Sequence, residues 1–176
     1  MAIDLSSPGV HQEALGEAIQ ALYSGTTFPV SPDTGTRYFR TDRGIEYFYD
    51  GTRWLSTQVL SMEMSIANVA VTTEAFLSIP YRGVYGVYLE RFEAVMFRLA
   101  AGEWDAVLSW TNAANARTTI TTLDGAGTTS SNWTHHSAAI GAVLDTNAFN
   151  VVATLTEVSG TTNAYMASKL FYRLIG

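Results

Sequence analysis

The chain has 176 residues, a net charge of −6 and no cysteine. That length holds one domain of ordinary size with a short module beside it and excludes two large domains; the missing cysteine excludes disulfides and thiolate metal sites. Ten basic residues, nine of them Arg, are scattered along the chain, so no basic patch offers the counterion-displacing surface on which nucleic-acid binding rests, and no DNA or RNA partner is expected.

Residues 1–10, MAIDLSSPGV, lack a basic segment followed by an apolar one, and no apolar run approaches roughly 18 residues. Neither a secretion signal nor a membrane partner is expected. Charged residues make up 15% of the chain, well under the usual ~25%. Thr, Ser, Asn, Ala and Gly take their place, a mix common on all-β proteins and on proteins that cover much of their exterior with partners.

The first predicted element is a helix. Ser7 suits its cap, Pro8 its first position, and Glu13 and Glu17 its positive N-terminal half. Ala14, Leu15, Ala18, Ile19 and Leu22 recur at three- and four-residue spacing, and Gly25 ends the pattern. One apolar stripe on about four turns does not stabilise a lone helix, so Leu15, Ile19 and Leu22 are expected to dock, either on their own domain or on a neighbour.

Residues 26–35 carry two prolines and a closing glycine and read as an extended linker that turns. A β-meander follows, with strands at Arg37 to Thr41, Ile45 to Tyr49 and Thr52 to Thr57, and turns at Asp42-Arg43-Gly44 and Asp50-Gly51. Tyr38, Phe39, Tyr47, Phe48, Tyr49 and Trp54 crowd its two faces, which predicts that both are covered and makes these six the expected anchoring and oligomer contacts.

From residue 58 onward short apolar runs alternate with turn residues. The runs are Leu60 to Ile66, Tyr85 to Glu90, Glu93 to Leu99, Ala106 to Thr111, Arg117 to Leu123, Asn132 to Ser137, Phe149 to Val158 and Ala164 to Ile175. Such spacing predicts a β-sandwich or jelly roll. The expected fold is therefore mainly β: an N-terminal helix and small meander over residues 1–57, then a sandwich over residues 58–176.

No catalytic template finds all its members. His135-His136 point to opposite faces of any strand and do not converge on one metal. His11 lacks an HExxH partner, and no Gly-x-Ser-x-Gly, Walker A or GxGxxG sequence is present. Glu90 with Glu93, and Glu103 with Asp105, are the nearest approach to a glycosidase pair. The first pair has opposite strand parity, and the second flanks a turn at Gly102, where acids are usually just solvated. We expect no enzyme, no metal and no cofactor. Trp104 and Trp133 adjoin turn residues and are candidate glycan contacts, whereas Trp110, inside an apolar run, is expected in the core.

Pro32-Asp33-Thr34-Gly35-Thr36-Arg37-Tyr38-Phe39-Arg40-Thr41-Asp42, followed by Tyr47-Phe48-Tyr49-Asp50-Gly51-Thr52-Arg53-Trp54-Leu55, resembles a motif of tailed-bacteriophage virion structural proteins, the capsid decoration and fibre family. The match covers about 25 residues; the ending Tyr172-Arg173-Leu174-Ile175 is more loosely similar to the β-rich heads of such proteins. The resemblance implies a trimeric structural protein on the virion surface, assembled in the host cytoplasm. Its partners would be itself, the major capsid protein or a tail component. Without a repetitive shaft, a capsid decoration (cement or head-fibre) protein or a compact tail-fibre protein is implied. The alternative from the tryptophans is a carbohydrate-binding module that recognises a host-surface glycan.

Overall fold

The computed structural model describes residues 23–69, 72–77, 85–98, 103–125, 133–148, 150–159 and 163–176. The chain is mainly β, and its contacts divide it into two compact units, residues 1–58 with Gly176, and Val59–Ile175. Leu15, Ile19 and Leu22, with the helix expected around them, lie outside the described residues. Gly25, expected to end that helix, sits instead with Ser24 in a two-residue strand.

The first unit has four short strands: β1 Ser24–Gly25, β2 Arg37–Arg40, β3 Ile45–Tyr49 and β4 Trp54–Ser56. β1 runs parallel to β2, and β2, β3 and β4 form the antiparallel meander, with Tyr38 opposite Tyr47 and Tyr49 opposite Trp54. Because side chains alternate along a strand, Tyr38, Tyr47 and Tyr49 share a face. Tyr38, Tyr47 and Trp54 are buried there, with Phe28, Ile45 and Tyr49 packed around them. The Phe28 ring stacks on Trp54 at 4.8 Å and 11°, and meets Tyr47 edge-on at 5.2 Å. The opposite parity carries Phe39, which is exposed, and Phe48, which is half-buried. Three of the six expected contact aromatics thus fill the unit's own core, and Phe28 from the linker joins them. Arg40 closes one side, gripping Asp42 through Nε and Nη2 at 2.9 and 2.8 Å, with its guanidinium 4.7 Å above the Phe28 ring.

The second unit holds β5 Leu60–Val69, β6 Thr73–Leu77, β7 Gly86–Arg98, β8 Glu103–Thr111, β9 Arg117–Leu123, β10 Thr134–Val143, β11 Asn150–Ser159 and β12 Ala164–Ile175. They pair antiparallel in two layers, β5-β12-β7-β10 and β6-β11-β8-β9. Each connection between consecutive strands from β5 to β8, and each from β9 to β12, crosses from one layer to the other, which is the wiring of a jelly roll. Sequence reasoning missed β6, whose five residues show no clean alternation. It also split β7 in two, because the apolar parity changes near Glu90. The structure gives the reason: a bulge. Between Leu89 and Arg91 the register with β12 and with β10 shifts by one residue, and Gly141, at φ 65°, takes the left-handed turn on the β10 side. Val87 and Leu89 before the bulge, and Phe92, Ala94 and Met96 after it, all therefore face the core.

β8 begins three residues before the expected Ala106, so Trp104 belongs to the strand and not to a turn. Its inward parity leaves it 2% exposed among the core residues. Gly125 passes so close that a Cβ on it would lie 1.6 Å from the Trp104 carbonyl oxygen, which only glycine allows. The core is completed by Ala106, Leu108, Val151, Ala153, Leu155, Met166, Leu170 and Leu174. A fully buried Phe92 contributes about 1.5–3 kcal/mol of transfer free energy. Phe92→Ala should lower unfolding free energy by about 3–5 kcal/mol in denaturant titration, whereas Phe76→Ala, on the exposed face of β6, should stay within about 0.5 kcal/mol.

Candidate functional site

The strict alternation of β12 sends Tyr165, Ala167, Lys169, Phe171 and Arg173 away from the core. Cross-strand registry sets each of them in a row with residues of the neighbouring strands. Ser65, Ala167, Val95 and His135 form one row; Glu63, Lys169, Glu93 and Ser137 form the next; Ser61, Phe171, Arg91 and Ala139 form a third. The first row is low because its members on β5 and β12 are Ser and Ala. The dip it leaves is a groove of about 390 Å³ with Ala167, Ser65 and Val95 along it and Glu63, Glu93, His135 and Lys169 at its border.

Every charge at that border is matched. Lys169 Nζ lies 2.8 Å from Glu63 Oε1, and Arg91 Nε lies 2.9 Å from Glu93 Oε1. His135 Nε2 is 3.9 Å from Glu93 Oε2. Hydrogen bonding from Lys169 holds the Glu63 carboxyl below the usual carboxylate range. Phe171 supports both cations, with Arg91 Cζ 4.3 Å and Lys169 Nζ 5.5 Å from its ring centroid. At the other end, one row beyond Ala167, three aromatic rings gather: Phe97 to Trp133 at 5.1 Å, Phe97 to Tyr165 at 5.8 Å and Trp133 to Tyr165 at 6.4 Å. Trp133 stays 59% exposed within this cluster.

The structure thus treats the two candidate glycan tryptophans differently. Trp133 stands on an open face beside a groove, while Trp104 is buried and removed as a contact. Trp110, expected in the core, is only half-buried, in a smaller cleft with Ile120, Ile140 and Leu144. Glu90 also changes place. The bulge brings it to the outer face with Glu93, where it pairs with Arg173, so the two glutamates share a face that simple parity denied them. Each is committed to an arginine. His135 and His136 do alternate, the first exposed and the second half-buried. Glu103, Asp105 and Asp124 bring one carboxylate oxygen each within 4.8 Å of one another, and Asp105 accepts a hydrogen bond from the Gly125 N–H at 3.0 Å. Phe97, Tyr165, Lys169 and Glu63 were not singled out from sequence. Their common face follows from registry between strands about 30 to 100 residues apart, which no local pattern carries.

No protein-family model matches the chain, and no curated protein sequence matches it. Solved structures to which it is similar include the Yersinia pseudotuberculosis-derived mitogen, at 10% identity and TM-score 0.37, over 64% of this chain and 84% of that one. Another holds the CBM22-1 and GH10 modules of Clostridium thermocellum xylanase Xyn10B complexed with xylohexaose, at 14% and 0.41, over 68% of this chain and 24% of that one. A third is the infectious bursal disease virus VP2 subviral particle, at 12% and 0.32, over 84% of this chain and 47% of that one. The chain thus spans about a quarter of the xylanase chain and about half of the VP2 chain.

A carboxyl whose pKa is depressed when folded stabilises the protein above its unfolded pKa, and that stabilisation fades as pH falls through the folded value. For Glu63 the window therefore lies on the acid side of ~4.3, the ordinary glutamate value. In an NMR titration Lys169→Ala should move the Glu63 transition up toward that value, and an unmoved transition would show that Lys169 does not hold it.

Proposed function

We propose that this chain is a non-enzymatic structural protein of a bacteriophage particle, a short trimeric capsid decoration protein or compact tail-fibre protein. The observation that carries the reading is where the phage-like motif falls. Tyr38, Tyr47 and Trp54, which give the motif its aromatic character, are the buried core of the first unit. The motif thus encodes a compact module, and that module precedes an eight-stranded jelly roll in the chain. In this reading the first 57 residues anchor and oligomerise the protein, and the jelly roll faces outward.

The chemistry of the second unit supports the reading. Among the described residues on the outer face of the β5-β12-β7-β10 layer, Glu63, Glu90 and Glu93 are each tied to a cation. None is left as the free acid or base a hydrolytic pair requires. Within the first unit, Phe39, 42% exposed on the face opposite the aromatic core, is a ready contact for a neighbouring virion protein or a sister copy.

Light scattering on the purified full chain should give three times the chain mass, and a chain that starts at residue 26 should be monomeric. A full-length monomer, or a trimer that survives the truncation, would remove the anchoring role of the N-terminal segment.

A further inference from the structure

We infer that the outer face of the β5-β12-β7-β10 layer is a binding site for a neutral oligosaccharide, running from the Trp133 cluster along the groove over Ala167 to Lys169. This site is independent of where in a particle the protein stands. Trp133, Phe97 and Tyr165 offer rings at one end, and the C–H face of a pyranose packs on such rings while its hydroxyls stay wet. From Tyr165 to Lys169 is four strand residues, ~13 Å, longer than a single sugar ring. A ligand stacked on the aromatic end therefore reaches the polar border only if it is an oligomer.

The charge arrangement selects the ligand class. Glu63 with Lys169 and Glu93 with Arg91 are internally neutral pairs. An anionic or cationic ligand would have to break one of them and strand its partner. A sugar hydroxyl both donates and accepts, so it hydrogen-bonds a carboxylate and an ammonium at once without separating the pair. His135 at the border adds a further donor or acceptor. A protein partner is the weaker fit, because interfaces are depleted of charged residues at their centres, and here the paired charges lie between the aromatic cluster and Phe171.

The test uses the full-length protein on an array of neutral and anionic oligosaccharides, with isothermal titration of the strongest neutral hit. Trp133→Ala should weaken that hit by about tenfold or more. Ala167→Trp, which fills the groove from an outward position, should abolish it. Phe76→Ala, on the outer face of the other layer, should leave it unchanged. Circular dichroism melts identify any variant that has simply unfolded, and Lys169→Ala, also outward-facing, then serves as the second groove variant with the same expected loss. Array signal at background, signal confined to anionic glycans, or affinity indifferent to both Trp133 and Ala167 would overturn the inference. So would a change in solution mass on Ala167→Trp, because the face would then be a contact between copies.

Discussion

Along β12 the side chains fall alternately to two sides without interruption. Ala164, Met166, Ser168, Leu170, Tyr172 and Leu174 go inward, and Tyr165, Ala167, Lys169, Phe171, Arg173 and Ile175 go outward. The strand is paired on both edges within its unit, to β5 and to β7, so its parity is imposed on its neighbours through backbone hydrogen bonds. A slip of one residue would turn Leu170 to water and Lys169 into the core, and burying an unpaired ammonium costs far more than any alternative packing returns. The β12 register therefore decides which residues of β5 and β7 are core, and through β7 it decides the same for β10.

Within β7, the break in that parity is corrected by the bulge at Glu90. Without the extra residue, Leu89 and Phe92 could not both be buried, and both are, at 1% and 0% exposure. That extra residue, Glu90, stays on the outer face, where it pairs with Arg173. A local irregularity that re-aims side chains thus serves the packing of one face and the charge pairing of the other.

Much of this was legible in the sequence. The meander turns, the alternation of Leu60 to Ile66 and the last long strand all follow from period-two patterning and from Gly, Asp and Asn at the turns. Three things were not. The bulge has no signature at Glu90 itself, so β7 reads as two strands. Trp104 sits beside Gly102 and so looks turn-borne, although its burial depends on where β8 begins. The groove is built by registry among Glu63, Glu93, His135 and Lys169, and only the pairing order reveals that they are neighbours. Trp133 could be picked out because it follows a run of small polar residues, but the rings it gathers with come from other strands.

The proposed function draws on the division between faces. Among the described residues, no Asp, Glu, Lys, Arg or His of the jelly roll is fully buried, and the inward residues account for stability, while the outward face of one layer carries its aromatics, its charges and its groove together. The proposed placement on a particle rests on a compact aromatic module followed in the chain by such a sandwich. Immunogold labelling of phage particles produced in cells that express the chain, with antibody raised against the full chain, tests that proposal most directly. The account predicts gold on the exterior of intact particles, and particles that neither label nor contain the chain would contradict it.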